Sequence, residues 1–320
     1  RAMPVVPGVT VTFRDAGHIL GSAQIVLDLE EKGRKVRYLF SGDVGRGHDD
    51  ILRDPAPVEN VDCLQIESTY GAREHSPKVN ADEQVRQLVS ETLERNGKVI
   101  IPAFSVGRTQ QIVYTLHQLT LAGKLPRTPI FVDSPLSVNA TEVFRLHAEC
   151  FNESIYRFLR EKENPFGMES LTYIREASAS RKLNDLKDPA IIISASGMCE
   201  AGRIRHHLAN HIGDPENLIL FIGYCAQHTL GAQILAHRNP VNIFGEPHQV
   251  RAKIASLDAF SGHADKNELR AYVEAMSGDI KKIAVVHGEE DQALGFAATL
   301  RQIKPKAEVF APQYQQVMEI

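Results

Sequence analysis

Over the first seventy residues, apolar and polar positions alternate with a period of two. Residues 9–13 (Val-Thr-Val-Thr-Phe), 22–29, 35–40 and 61–66 read as strands, with Glu31-Lys-Gly33 as a hairpin turn. This spacing predicts an antiparallel meander. The pattern changes at Asn80, an N-cap candidate with Glu83 three residues on. Val85, Leu88, Val89 and Leu93 follow at helical spacing. The apolar run 99–101 then leads into a helical face of Ile112, Val113, Leu116 and Leu119, closed by Gly123, and into the run 130–132. Further apolar runs at 191–193, 218–222 and 241–244 continue the alternation. It predicts a mostly parallel sheet with helices on its faces. Beyond residue 250 the order is strand (253–257), helix (267–276), strand (283–286), helix (293–303) and a last strand near Val309. Residues 160–187 carry few periodic apolar positions and predict no element.

Composition narrows the class. A chain of 320 residues suggests about two domains at roughly 150 residues each. The net charge of -4 argues against nucleic-acid binding through global charge, so any such binding needs a local patch. No apolar run approaches the ~20 residues of a membrane span, and no secretory leader is expected. Four cysteines without a C-x-x-C pair read as reduced thiols in a cytoplasmic protein. Thirteen histidines leave room for a histidine-rich metal site.

Five segments share one form, in which a strand ends and a His, Asp or Glu follows among small residues. They are Asp15-Ala-Gly-His18-Ile-Leu-Gly-Ser22, Phe40-Ser-Gly-Asp43, Ile66-Glu67-Ser-Thr-Tyr70, Phe260-Ser-Gly-His263-Ala-Asp265 and Val285-Val-His287-Gly288. Imidazole nitrogen and carboxylate oxygen suit zinc, and a carboxylate can bridge two ions.

In this order the five segments resemble the β-CASP subgroup of metallo-β-lactamase-fold nucleases, over nearly the whole chain. The resemblance implies an incomplete αββα lactamase domain (residues 1–75 and 251–320) with a β-CASP α/β domain (76–250) inserted in it. It implies that His18 binds zinc, that Asp43 bridges two zinc ions and that His287 supplies a ligand to the second. It also implies a general acid at His263, oriented by Glu67, in two-metal hydrolysis of phosphodiesters to 5′-phosphate and 3′-hydroxyl products. A histidine at the position of His287 goes with RNA-processing members, so the implied partner is single-stranded RNA in a cleft between the domains. Endonuclease and 5′-exonuclease action are both open, as is a homodimer.

Two strand-to-helix segments, Pro102 to Gln110 and Ser194 to Arg203, add small residues at helix starts. Alone they read as turns that use Ser and Gly for geometry. With the resemblance, Ser105, Gly107, Arg108, Ser196, Gly197, Gly202 and Arg203 are expected to contact the RNA backbone. Other histidines are discounted. His206, His207 and His211 are expected to be solvated or capping, His117 and His147 to lie at the surface, and His48, His75, His228, His237 and His248 to stand in loops without partners.

The chain departs from the family in one respect. No His-x-His-x-Asp-His motif occurs in it. With His18, Asp43 and His287 alone, each zinc would keep two protein ligands where a catalytic site normally has about three. The expectation is a fragment that binds zinc poorly and cleaves slowly or not at all. Two other readings remain: a non-catalytic RNA-binding scaffold of the same family, and a lactamase-fold hydrolase of small esters. The long insertion between Glu67 and His263 weighs against the latter.

Overall fold

The structure, a computed structural model, describes residues 2–76, 80–161 and 164–320. The chain opens with four strands that pair in sequence order: β1 (Met3–Val6), β2 (Val9–Asp15), β3 (Ala23–Glu31) and β4 (Arg34–Phe40). This is the expected meander. The next strand, β5 (Cys63–Glu67), does not extend it, because β5 pairs parallel with β4 in the register Leu39↔Leu64. The crossover of residues 41–62 carries the chain back to the same end of the sheet, as a parallel connection requires.

The middle of the chain alternates as expected. Helix α1 (Ala81–Glu94) precedes β6 (Val99–Pro102), α2 (Arg108–Leu121), β7 (Ile130–Asp133), α3 (Pro135–Leu146) and α4 (Glu153–Arg160). Asn80 is the N-cap of α1, but its side chain makes no capping hydrogen bond. The stretch that predicted no element forms β8 (Leu171–Ile174) and α5 (Ala177–Lys182). Then come β9 (Ile191–Ser194), α6 (Ile204–His211), β10 (Leu218–Phe221), α7 (Leu230–Leu235), the hairpin β11 (Val241–Ile243) and β12 (Glu246–His248), and β13 (Lys253–Ser256). The last segment adds α8 (Lys266–Glu274), β14 (Lys282–Val286), α9 (Glu290–Ile303) and β15 (Glu308–Phe310).

The chain divides into two compact units. The first comprises residues 1–75, 150–152 and 262–320, and the second comprises 76–149 and 153–261. The boundary expected at 250 falls later, because β13 hydrogen-bonds parallel to β10 and so belongs to the second unit's sheet.

That second sheet has the order β13-β10-β6-β9-β7-β8 and is parallel throughout. Successive residues of one strand feed opposite cores. Val99 and Ile101 pack with α1 and α2, while Ile100 faces Leu208 of α6 and Ile234 of α7. Ile191, Ile192 and Ile193 divide the same way. Burial on both faces explains why these strands read as unbroken apolar runs. Each buried isoleucine or leucine adds about 1.5–3 kcal/mol of transfer free energy.

The first unit has a seven-stranded mixed sheet, β1-β2-β3-β4-β5-β14-β15. Val26, Leu39, Leu64, Ile66, Ile283 and Val285 share one core with Leu269 and Val273 of α8 and Phe296 and Leu300 of α9. Because β3 runs antiparallel to both neighbours, β2 and β4 point the same way. Strands β5 and β14 join them in parallel. All four therefore end at one edge, and the segments carrying His18, Asp43, Glu67 and His287 are the residues that close or follow those ends. Among the described residues no helix is long and apolar enough to cross a membrane.

Candidate metal centre

The edge is laced by backbone. Gly45 N donates to Ala16 O at 2.7 Å, and Ala264 N donates to Val44 O at 2.8 Å. Gly45 also forms a bridge with His263. A β-carbon on Gly45 would lie 2.0 Å from the carbonyl oxygen of Gly17. Only glycine lets the loops of His18 and Asp43 approach this closely. The loop of His263 is held from its other side. Asp265 caps α8, its Oδ1 accepting from Asn267 N and Glu268 N, while Glu268 Oε2 accepts from Asp265 N.

Ligand atoms of His18, Asp43 and His263 lie within 4.8 Å of one another. His18 Nε2 is 3.8 Å from Asp43 Oδ2, and the His18 and His263 ring centroids are 4.3 Å apart. His287 stands on the other oxygen, with Nδ1 3.4 Å from Asp43 Oδ1. Thr69 Oγ1 donates to His287 O at 3.2 Å and accepts from Nδ1 at 3.2 Å, which leaves Nε2 of His287 as its lone-pair nitrogen.

Glu67 lies beneath this group, with 1% of its side chain exposed. Its Oε1 accepts from Val44 N at 2.6 Å and its Oε2 from Thr69 N at 3.2 Å. His263 Nδ1 donates to both oxygens, at 3.1 and 3.2 Å. Burial pushes the Glu67 carboxyl up, but the bonds from His263, Thr69 and Val44 outweigh burial and hold it below the usual carboxylate value. The ionised carboxylate fixes the His263 tautomer with its proton on Nδ1, so Nε2 faces the group of His18 and Asp43.

A two-histidine, one-carboxylate donor set suits zinc. Two family profiles match the chain: one described as the Beta-Casp domain at residues 109–234, and one described as the Zn-dependent metallo-hydrolase RNA specificity domain at residues 247–312. A ribonuclease of Thermus thermophilus is 36% identical over 291 residues, which are 91% of this chain and 65% of that protein. The chain carries a β-CASP domain. An RNase J-like protein of Methanocaldococcus jannaschii is 35% identical over 90% of this β-CASP chain and 66% of its own length. The transcription termination factor FttA of the same organism is 30% identical over 94% of the chain and 48% of its own length. The chain thus spans just under two thirds of the first two relatives and about half of the third.

The residues expected to contact RNA backbone all lie in the second unit. Ser105 is half-buried, its Oγ 3.4 Å from that of Ser134. Gly107 precedes α2 and donates from N to Gln110 Oε1 at 2.7 Å. Ser196 is half-buried, Gly197 packs under Phe104, and Gly202 is exposed. The two arginines differ from expectation. Arg108 is 5% exposed, and its guanidinium donates to Phe260 O at 2.7 Å and to Gln111. Arg203 Nη1 donates to Asp133 Oδ1 at 2.7 Å and Nη2 to Arg175 O at 2.6 Å. Both guanidiniums are hydrogen-bonded within the unit and hold its loops.

Several buried groups escaped the sequence reading. His207, expected to be solvated, is 1% exposed, and its Nε2 donates to Asp133 Oδ2 at 2.7 Å. Ser180 Oγ donates to the same oxygen at 2.6 Å. Burial pushes the Asp133 carboxyl up, but the bonds from His207, Ser180 and Arg203 hold it below its usual value. His117 is also buried, edge-on to Phe158. His75, expected to be without a partner, is buried against Tyr70 with Nε2 3.0 Å from His263 O, so it supports the backbone of the His263 loop. No periodicity marks these residues, since a histidine in a helix or loop looks the same whether its partner is water or a distant carboxylate.

His211 is buried beside His207, and burial, with the neighbouring His207 and Lys98, lowers its pKa to about 4. The unfolded chain binds a proton there near pH 6.5, and the folded chain does not until about pH 4. Stability is therefore expected to fall as pH drops through that window, by about 3 kcal/mol at most for this group. Denaturant titrations at several pH values should show a flatter profile for His211→Gln. Parallel profiles for the two proteins would refute the assignment.

Proposed function

We propose that this chain carries the larger part of a zinc-dependent ribonuclease that cleaves single-stranded RNA to 5′-phosphate and 3′-hydroxyl products. The observation that carries the reading is the meeting of His18, Asp43 and His263, with His287 on the second oxygen of Asp43, at one sheet edge. The names of two relatives, a ribonuclease and an RNase J-like protein, and a profile described by RNA specificity, support the substrate class. The reduced thiols fit the cytoplasm.

His18, Asp43 and His287 would hold the metal, with Asp43 able to share its two oxygens between two ions. When bound, zinc supplies charge neutralisation at phosphate oxygens and lowers the pKa of a water to about 7. The chain's own residues do the rest. His263 presents Nε2 toward the reacting phosphate and gives a proton to the departing 3′-oxygen. Glu67 keeps the ring in place and stabilises the charged imidazole through Nδ1. A second reading has a specific observation behind it: His263 belongs to the donor cluster with His18 and Asp43, and a carboxylate behind Nδ1 is also how metal-ligating histidines are held.

The complete protein, given end-labelled single-stranded RNA, is expected to yield 3′-hydroxyl ends and to stop when chelated. Cyclic phosphate ends, or cleavage that survives chelation, would refute the proposal. This chain by itself is expected to bind zinc weakly, because these residues offer two ligands per ion. A calorimetric titration showing two tightly held ions would overturn that expectation.

A further inference from the structure

Helix α6 and the hairpin of β11 and β12 meet within the second unit. Phe244 and Gly245 form the two-residue turn of that hairpin, both at positive φ (55° and 87°). Such a turn favours Asn-Gly, and a phenylalanine there is costly for the backbone. The hairpin's own packing is supplied by Val241 and Ile243, both fully buried. Phe244 is 49% exposed. The Arg205 guanidinium lies 4.4 Å from its centroid, and the His206 ring lies 4.7 Å away, tilted by 35°. Among the described residues no carboxylate pairs with Arg205, and its Nε is buried without a hydrogen-bond partner. The exposed hairpin neighbours Asn242 and Glu246 are polar, so the patch is one ring wide and not an apolar face of interface size.

We propose that Phe244, His206 and Arg205 form a stacking platform for an unpaired nucleobase of single-stranded RNA. Planar groups held by a helix and a hairpin lose little freedom when a base stacks on them. An unpaired guanidinium beside them reinforces the stack and attracts the adjoining phosphate. The platform rests on RNA being the partner proposed above. In a chain whose net charge is negative, it gives a base-dependent share of affinity that phosphate contacts cannot supply.

The test measures binding of this chain to a labelled oligoadenylate of about ten nucleotides and to an abasic strand of equal length. Phe244→Asn removes the ring and keeps a turn that tolerates two positive φ values. It is expected to weaken oligoadenylate binding at least about fivefold and to leave abasic binding within about twofold. Equal affinity of the variant and the unaltered chain for oligoadenylate, or equal losses on both strands, would overturn the platform and leave the ribonuclease reading standing. If the unaltered chain binds neither strand, the platform is overturned. Cleavage by the complete protein then decides the ribonuclease reading separately. The chain contains no tryptophan, so Phe244→Trp provides a single indole, which can be excited selectively over the tyrosines. Its emission is expected to be quenched by oligoadenylate and unchanged by the abasic strand. Unchanged emission with oligoadenylate bound would overturn the proposal independently of affinity.

Discussion

Asp133→Ala is expected to destabilise the second unit by about 2–4 kcal/mol, the cost of leaving the half-buried Arg203 guanidinium and the buried His207 ring without their acceptor. The carboxylate has no exposed surface and accepts from Arg203, His207 and Ser180 at 2.6–2.7 Å. Its main-chain oxygen accepts from Ser194 Oγ at 2.8 Å. The carboxylate's partners come from α5, α6 and the loop before α6, so one side chain joins three segments to the end of β7. Alanine leaves the Arg203 guanidinium without its carboxylate and the His207 Nε2–H without an acceptor. Asp133→Asn should cost less, since its oxygen still accepts one of these bonds. Denaturant unfolding followed by circular dichroism measures both. A loss below about 1 kcal/mol for the alanine variant would show that the partners find water instead.

In the complete protein, His263→Ala is expected to lower kcat by about 10²–10⁴-fold, the usual contribution of a positioned acid. Zinc content should stay at the level of the unaltered protein. Metal analysis decides between the two readings of His263, because loss of zinc together with activity would make it a ligand. Glu67→Gln probes the same residue from behind. Glu67 accepts from three donors, and a glutamine has one acceptor oxygen and an NH2 group that would face a donor. Turnover should drop with Glu67→Gln while His263 itself is intact, which would identify Glu67 as a positioning residue. Full activity in this variant would remove the need for a carboxylate behind the ring.

Much of the centre was legible because each of its residues closes or follows a strand end or precedes a helix, and small neighbours mark such places. His18, Asp43, Glu67, His263 and His287 all stand at such places. The parallel second sheet was legible for a similar reason, since burial on both faces writes unbroken apolar runs such as Ile191-Ile-Ile193. What the sequence hid were pairings across distance. Arg108 and Arg203 look like free cations beside small residues, yet Phe260 O and Asp133 take them up from 152 and 70 positions away. Strand β13 continues the second sheet past the expected boundary, because strand order is decided by hydrogen-bond partners and not by local pattern. Phe244 looked like the end of a strand, and only the turn geometry reveals its ring at the surface.

The placement of β14 between β5 and β15 has a consequence for how the protein is made. Thr69 and His287, which hold each other at the centre, are 218 positions apart. As the chain leaves the ribosome, the whole second unit emerges before β14 does, and its short-range strand–helix–strand contacts let it fold as a unit in the meantime. The edge of β5 stays open until residues 282–286 arrive. The centre therefore cannot assemble until β14 and His287 have emerged, however early the second unit folds.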